Sequence, residues 1–469
     1  MNKALLANIP QVDQILNHAK LAPYLARLNR DFVLNCVREE IADVKERILQ
    51  TSSLAEKSKP DLLELIAENS QQRIQTGLKP SLKKVINATG VILHTGLGRA
   101  PLPEEARSNL LEITQGYCNL ELDLNSGKRG ERIQHIETLL CQLTGAEAAC
   151  VVNNNAAAVL LTLNSLSEGK QAIISRGQLI EIGGSFRIPE VIAKSGALMV
   201  EVGTTNKTHL YDYDQAITKD TAVILAIHTS NYRIKGFTEE VEVGTLVDLA
   251  KKHKLIVVQD LGGGVFVDLQ AYDLPYEPVV KQSVATGVDV ITFSGDKVLG
   301  GPQSGLIVGK KKYVDRIKSN PLMRALRCGK LTYAALEPTL KLYLNESELL
   351  KHNRVFNKVL EPLESLTSRA HNVMRKLNAK VKSEFDIRLE DSKIQIGSGA
   401  LPLEEIASKA LSLKATHIST ENLAKRFRLH HPPILGYIRG DRLYFDFRTI
   451  FPDEEPTLVD AMKKILVRG

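Results

Sequence analysis

The chain has 469 residues, a formal net charge of +7 and no tryptophan. That length predicts more than one domain, and the composition is typical of a globular protein in water. No apolar run is long enough to cross a bilayer, and the polar N-terminal segment MNKALLANIPQVDQILNHAK argues against a signal peptide. The five scattered cysteines lack zinc or redox spacing, so we expect free thiols in the cytoplasm and no bound metal. The modest positive charge permits an anionic partner such as phosphate or RNA without requiring one.

Residues 1–80 are predicted to form a separate helical module. Apolar residues recur at helical spacing through residues 32–49 and 61–74, and Pro60 stands where the second of these helices begins. Basic and acidic residues are nearly balanced here, so the pattern alone favours a small interaction or oligomerisation module. Pro80 marks the boundary.

From about residue 85, short β-branched segments alternate with segments of helix length. This alternation predicts a mainly parallel sheet covered by helices on both faces. In such sheets, ligands bind outside the carboxyl ends of the strands. The predicted strands are ACVVNN, AIISRG, ALMVEVG, AVILAIH, LIVVQDLG, VDVITFS and SGLIVG.

Polar residues follow three of these strands. Asn154, Asn155 and Ala156 come after CVV, where an asparagine can cap a helix and the free backbone N–H groups can bind an anion. Gln178 follows AIIS, and His228 follows AVILAI. Each of these residues also has a plain structural interpretation, as a helix cap, a surface turn or a buried histidine.

An acid and a lysine end two further strands. Asp260 closes LIVVQ before three glycines, and Lys297 lies in a turn just after Ser294. An Asx turn and a surface lysine are the alternatives for the two residues taken singly. Together with a helix start, they are what pyridoxal phosphate requires: an anion site, a partner for the ring nitrogen and an amine for a Schiff base. The order favours a fold-type-I pyridoxal-phosphate enzyme over a Rossmann dehydrogenase, since no GxGxxG follows the first strand.

Longer segments resemble the bacterial selenocysteine synthase family, the L-seryl-tRNA(Sec) selenium transferases. The resemblance implies an α/β fold-type-I architecture with a mainly parallel seven-stranded sheet. It divides the chain into a helical tRNA-binding module (1–80), a catalytic domain (81–340) and a small α+β domain (341–469). The segments that carry it include INATGVILHTGLGRAPLP, YCNLELDLNSGKRGER, SRGQLIEIGGSFRIPEV, HTSNYRIKGFT, FSGDKVLGGPQSGLIVG and NPLMRALRCGKLT.

The resemblance also implies a reaction and partners. The family converts L-seryl-tRNA(Sec) to L-selenocysteyl-tRNA(Sec) through an aminoacrylyl intermediate bound to pyridoxal 5'-phosphate, with selenophosphate as the selenium donor. It implies a cytoplasmic homo-oligomer, a ring of dimers that forms a decamer, whose N-terminal module grips the tRNA. Neither a membrane nor DNA is an expected partner.

Family motifs assign roles to the strand-end residues. Lys297 matches the Schiff-base lysine, which also removes the Cα proton, and Asp260 matches the partner of the ring nitrogen. The turn from Asn154 to Ala156 matches the phosphate site, to which Ser294 adds a hydroxyl. Gln178 and His228 are candidates for the residue that stacks on the ring.

The resemblance places three arginines around the selenium donor: Arg99, Arg324 and Arg327. Guanidinium groups suit tetrahedral oxyanions, and a helix would place Arg324 and Arg327 on one face. The alternative is a solvated helix face. The seryl carboxyl is esterified to tRNA and needs no arginine, so we expect Arg448, the nearest candidate, to be structural or to lie at a dimer contact.

The C-terminal part is predicted to begin with one long helix over residues 336–352. Strands and hairpins follow in VKSEFDIRLEDSKIQIGSG and HHPPILGYIRGDRLYFDFRTI. We expect a helix in EEIASKALSL and another beside the acidic turn near Pro452.

Two other functions remain open at the level of sequence. One is a fold-type-I lyase or aldolase that acts on a small phosphorylated substrate, which would leave the N-terminal module without a role. The other is a non-catalytic RNA-binding protein, which would leave the pair of Asp260 and Lys297 without one.

Overall fold

The structure is a computed structural model that describes residues 6–50, 54, 57–183, 186–229, 232, 234–397, 400–415 and 417–467. The chain forms two compact units, Met1–Lys84 and Val85–Gly469. Within the described ranges, no helix is both long enough and apolar enough to cross a membrane. The predicted boundaries at residues 80 and 340 stay predictions.

The first unit is helical, as its apolar spacing predicts. Its helices are α1 (Val12–Leu16), α2 (Ala22–Leu25), α3 (Arg30–Gln50) and α4 (Lys59–Leu78). Ser58 caps α4 reciprocally: its hydroxyl accepts from the Asp61 N–H, and the Asp61 carboxylate accepts from the Ser58 N–H. The apolar faces of α3 and α4 pack together around Val37, Val44 and Ile66.

The second unit is built on a seven-stranded sheet, which the seven apolar segments predicted. The sheet order is β2-β10-β9-β8-β7-β3-β6. β10 runs antiparallel to both β2 and β9, and the other neighbours are parallel. The strands of this part are β1 (Ile86–Asn87), β2 (Ala148–Val152), β3 (Gln171–Ser175), β4 (Glu181–Ile182), β5 (Phe186–Arg187), β6 (Leu198–Val202), β7 (Thr221–Ile227), β8 (Ile256–Gly262), β9 (Val290–Ser294) and β10 (Gly305–Gly309).

Helices cover both faces of this sheet because its strands are apolar on both sides. Ile173, Ile224 and Ile291 pack on one face, while Ile174 and Leu225 pack on the other. The helices are α5 (Glu104–Thr114), α6 (Glu137–Thr144), α7 (Asn155–Ser167), α8 (Ile188–Lys194), α9 (Leu210–Ala216), α10 (Val243–His253), α11 (Val280–Ala285), α12 (Lys311–Ser319) and α13 (Leu322–Leu326).

The C-terminal part packs helices against a second sheet of order β11-β12-β15-β14. β1 pairs in parallel with β13, which ties the start of this unit to its C-terminal part. The elements are α14 (Lys330–Leu342), α15 (Glu346–His352), α16 (Arg354–Val359), α17 (Leu363–Lys376), α18 (Ala379–Glu384), β11 (Phe385–Gly397), β12 (Ala400–Ala415), α19 (Thr420–Arg428), β13 (Ile434–Leu435), β14 (Tyr437–Arg439), β15 (Arg442–Asp446) and α20 (Glu455–Val467).

Two predictions for this region are wrong. The single helix over residues 336–352 is two helices, because Asn345 caps a new one with its side chain on the N–H of Ser347. The segment EEIASKALSL lies in strand β12, although Ile406, Ala410 and Leu413 have helical spacing. β11 and β15 hydrogen-bond to β12 from both sides, and this tertiary pairing overrides the local pattern.

Candidate active site

Asp260 lies near the end of β8 with one carboxylate oxygen fully engaged. The residue is 5% exposed. Its Oδ1 accepts from the Asn155 side-chain amide at 2.7 Å, the Thr292 hydroxyl at 3.0 Å and the Gly262 N–H at 3.2 Å. Burial raises the pKa of Asp260, and these three donors oppose that rise. Within the described residues Oδ2 accepts no hydrogen bond, so it can receive a donor from a ligand.

Lys297 lies in the tight connection between the antiparallel strands β9 and β10. A Cβ on Gly295 would come within 2.1 Å of the Ser304 hydroxyl, so this turn requires glycine. Lys297 is 6% exposed, and its amine makes no hydrogen bond or ion pair within the described part of the chain. Burial lowers the pKa of Lys297; the Arg99 charge lowers it too, while Asp260 opposes the shift. A buried amine that deprotonates readily suits attack on an aldehyde.

The start of α7 supplies donors for an anion. The Asn154 side chain caps the helix by accepting from the Ala157 N–H at 2.9 Å. The N–H groups of Asn155 and Ala156 have no acceptor among the described residues, so they are free for a ligand. β10 approaches this turn closely, since a Cβ on Gly305 would lie 2.1 Å from the Asn154 carbonyl oxygen.

Ser294 and Asn155 differ in how their side chains fit the predicted phosphate site. Ser294 is buried at the end of β9, and its hydroxyl has no partner in the described ranges. The Asn155 amide, in contrast, is held by Asp260. Asn155 can therefore bind an anion through its backbone N–H, while its side-chain amide donates to Asp260.

Gln178 and His228 lie at the ends of the neighbouring strands β3 and β7. The Gln178 side-chain oxygen accepts from the Ile227 N–H at 2.9 Å. The His228 N–H donates to the Asp260 carbonyl at 2.9 Å, and its Nε2 lies 3.0 Å from Glu277 Oε2. Glu277 could not be identified from the sequence, because an acid within a loop has no periodic pattern to mark it.

Arg99 contacts the residue next to the lysine. Its Nη1 lies 2.7 Å from Asp296 Oδ2, and its Nε is buried without a partner in the described chain. Its φ of 60° lies in the left-handed region, which a residue with a long side chain seldom adopts. Such strain is typical of functional sites. The structure thus brings Arg99 beside Lys297.

The two remaining predicted arginines do not share a helical face, so that expectation is wrong. Helix α13 ends at Leu326, and Arg327 has extended backbone that pairs with Val152 at the end of β2. Arg324 is exposed on α13. Arg327 therefore lies beside the strand that leads to the Asn154 turn, while Arg324 faces solvent.

Three guanidinium groups surround the Glu121 carboxylate. It forms ion pairs with Arg129, Arg132 and Arg327 at 2.8, 2.7 and 3.2 Å. The hydrogen bonds from Arg132 and Arg129 lower the pKa of Glu121 to about 2. A cavity of about 280 Å³ adjoins these side chains. Glu131 also lines the cavity, so three guanidinium groups against two carboxylates still leave an excess of positive charge there.

Arg448 is structural in this fold, as expected. Its Nη1 donates to the carbonyl oxygens of Lys358, Val359 and Glu361, and its Nη2 donates to that of Ala407. It is 3% exposed. Four backbone acceptors occupy the guanidinium, which makes it unsuited to a substrate carboxylate.

The fold and these strand-end residues define a fold-type-I pyridoxal-phosphate-dependent enzyme. The residues fit the cofactor: among the residues that the structure describes, the Lys297 amine, Asp260 Oδ2 and two N–H groups at the start of α7 have no partner. The solved structure of D-glucosaminate-6-phosphate ammonia-lyase has the same fold. It is 17% identical with a TM-score of 0.57, and the match covers 84% of this chain and 97% of that one.

Residues 85–451 match the family model of L-seryl-tRNA selenium transferase, and residues 6–44 match that of the selenocysteine synthase N terminal. The chain belongs to this family. A relative from Carboxydothermus hydrogenoformans, named L-seryl-tRNA(Sec) selenium transferase, is 46% identical over 98% of this chain and 97% of its own. One from Alkaliphilus oremlandii with the same name is 42% identical over 99% and 100%. The predicted family, transferase class and pyridoxal 5'-phosphate cofactor are confirmed.

Proposed function

We propose that this chain converts L-seryl-tRNA(Sec) to L-selenocysteyl-tRNA(Sec), with pyridoxal 5'-phosphate on Lys297 and selenophosphate as the donor. The observation that carries the proposal is the buried amine of Lys297, which has no partner in the described ranges and lies near Asp260, in a chain that matches this family over nearly its full length. The reaction balances overall: the Cβ–O bond of the seryl group and the P–Se bond break, while a Cβ–Se bond and a P–O bond form. The oxygen lost from Cβ as water is balanced by the water that attacks phosphorus, and inorganic phosphate is the second product.

Four sets of atoms would hold the cofactor. Lys297 would bind the aldehyde carbon, and Asp260 Oδ2 would accept from the protonated ring nitrogen. The N–H groups of Asn155 and Ala156, with the Ser294 hydroxyl, would bind the phosphate. When bound, the cofactor withdraws electrons from Cα of the seryl group, which makes the Cα proton acidic.

Lys297 is then the proton acceptor for Cα. This role requires a neutral amine near physiological pH, and burial and the Arg99 charge both favour it by lowering the pKa of Lys297. Asp260 must stay ionised to stabilise a protonated ring nitrogen. The three donors on its Oδ1 favour that ionised form against the effect of burial.

The donor anion would be bound by arginines. Arg99 lies beside the lysine, and Arg327 lies at the end of β2 within a group that carries excess positive charge. These positions support a selenophosphate site between them. Arg324 precedes Arg327 closely in the sequence and is exposed, so it would extend that site toward solvent.

Further partners follow from the family. We assign tRNA binding to the helical module of residues 1–80, and we expect a cytoplasmic ring of dimers that forms a decamer. Exposed apolar side chains on the second unit support subunit contacts: Leu111 is 67% exposed, Leu331 is 54% exposed, and Tyr117 is fully exposed.

The test is an assay of the purified full chain, loaded with cofactor, on two kinds of substrate. With seryl-tRNA(Sec) and selenophosphate, we expect selenocysteyl-tRNA(Sec) and an equal amount of phosphate. Turnover of small phosphorylated amino sugars, with no selenium on the tRNA, would contradict the proposal in favour of a lyase. Binding of the tRNA without product would favour a non-catalytic RNA-binding protein.

A further inference from the structure

Glu277 is a buried carboxylate that the roles assigned above do not use. It lies between a 3-10 turn at Leu269–Tyr272 and helix α11. The N–H of Val280 donates to the Val265 carbonyl at 2.9 Å, which anchors this segment to the chain just after β8. Pro278 restricts Glu277 to extended backbone. The backbone that follows Glu277 is therefore held in place, and Glu277 itself is 5% exposed.

The carboxylate is directed at the end of β7. Glu277 Oε2 lies 3.0 Å from His228 Nε2. The His228 backbone is held in turn by the Asp260 carbonyl. Within the described residues, His228 Nδ1 has no hydrogen-bond partner, and the side chain is 27% exposed. The imidazole is thus fixed through one nitrogen and open at the other.

The burial of Glu277 distinguishes this contact from other histidine–carboxylate contacts of the fold. His209 pairs with Glu239 at 3.1 Å, and His253 pairs with Asp214 at 3.1 Å. Their carboxylates are 52% and 55% exposed, so water screens them. A buried carboxylate fixes the proton on the facing ring nitrogen and acts more strongly on neighbouring charges.

We propose that Glu277 is a positioning residue of the cofactor site: it fixes the proton of His228 on Nε2, leaves Nδ1 available to a ligand, and sets the charge around Lys297. The proposal rests on the proposed function, in which Lys297 holds the cofactor. The charges that act on Lys297 support it. Arg99 favours the neutral amine, while Asp260, Asp296 and Glu277 favour the charged form.

The test follows the cofactor absorption band of the purified holoenzyme as a function of pH, without substrate. Glu277→Gln removes a negative charge that favours the protonated form of the Lys297 nitrogen. The pH midpoint of the cofactor absorption band in Glu277→Gln should therefore fall by about half a pH unit to one unit relative to wild type. Glu277→Asp keeps the charge and should titrate near wild type. Glu239→Gln breaks the exposed pair with His209 and is the matched control, with an unchanged midpoint.

A second measurement separates positioning from charge. Glu277→Asp shortens the side chain and weakens its contact with His228, so kcat should fall about tenfold with the KM for seryl-tRNA(Sec) unchanged. The Glu277→Asp variant also keeps the proposal testable if Glu277→Gln does not fold. A Glu277→Gln midpoint equal to wild type, or a Glu277→Asp enzyme with wild-type kcat, would overturn the proposal and leave the proposed function standing. A wild type that forms no cofactor band would instead overturn the proposed function.

Discussion

The side-chain amide of Asn155 donates a 2.7 Å hydrogen bond to Oδ1 of Asp260, across 105 residues of sequence. This contact links the first residue of α7 to the end of β8. It joins the two parts of the site that the sequence suggested separately, an anion-binding turn and an acid. The other amide atom, Asn155 Oδ1, is buried without a partner in the described chain. Asp260 is therefore the one partner of this side-chain amide among the described residues.

Asn155→Ala should lower kcat about tenfold and change the dissociation constant of the cofactor less than about threefold. The substitution removes one charge-assisted hydrogen bond from Asp260, while the phosphate donors are backbone groups that remain. Steady-state kinetics and equilibrium dialysis of the cofactor measure the two effects. A large loss of cofactor affinity with normal kcat in the loaded enzyme would show that the amide binds phosphate instead.

Asp260→Asn should lower kcat by a factor on the order of a thousand in an enzyme that still binds cofactor. The substitution keeps the shape of the side chain but removes the charge that stabilises a protonated ring nitrogen. Circular dichroism and cofactor content check that the variant is folded and loaded. A loaded Asp260→Asn enzyme with more than a tenth of wild-type kcat would refute this role.

Arg99→Met should move the pH midpoint of cofactor loading upward by about half a unit to one unit. Loading requires the neutral amine of Lys297, whose fraction rises with pH and reaches half at its pKa. The Arg99 charge lowers that pKa, so its removal raises it and makes loading slower at neutral pH. Loading rates of the apoenzyme from pH 6 to 10, as buffers allow, measure the shift. A midpoint at or below that of wild type is the contrary result.

Arg327→Ala should raise the KM for selenophosphate about tenfold or more, whereas Arg129→Ala should change it less than about twofold. Both arginines pair with Glu121, but Arg327 lies beside the end of β2 and Arg129 has 77% of its side chain exposed. Arg129→Ala is thus a control for the loss of one positive charge that is paired with Glu121. Equal effects of the two substitutions on the donor KM would argue against a donor contact at Arg327.

Arg448→Met should destabilise the protein by about 3 kcal/mol, because it leaves buried backbone carbonyl groups without donors. Thermal unfolding followed by calorimetry measures the loss. The kcat per folded molecule should stay within about twofold of wild type, since the guanidinium contacts four carbonyl groups. A specific rise in the KM for seryl-tRNA(Sec), with normal stability, would instead place Arg448 at the substrate.

The central sheet and two of its strand-end residues were predictable from the sequence for a physical reason. Strands buried on both faces read as short apolar runs, and Asp260 and Lys297 interrupt such runs where parallel sheets bind ligands. Glu277 could not be predicted from the sequence, because its proposed role depends on a loop that folds back onto His228. The strand at EEIASKALSL was misread because its partners β11 and β15, and not its own spacing, decide its conformation.

The separate roles of the Asn155 backbone and side chain could likewise not be predicted from the sequence. A helix start predicts free backbone N–H groups, and the structure has them. The direction of the Asn155 side chain depends on where β8 lies beside α7, which only the three-dimensional packing determines.

Single-turnover conversion tests the central claim most directly, that Lys297 carries the cofactor and accepts the Cα proton. Excess enzyme is mixed with radiolabelled seryl-tRNA(Sec) and selenophosphate, and selenocysteyl-tRNA(Sec) is measured over time. We predict complete conversion by wild type. Lys297→Ala should give no detectable product while it still binds the seryl-tRNA(Sec). Conversion by Lys297→Ala at more than about one per cent of the wild-type rate would contradict the account.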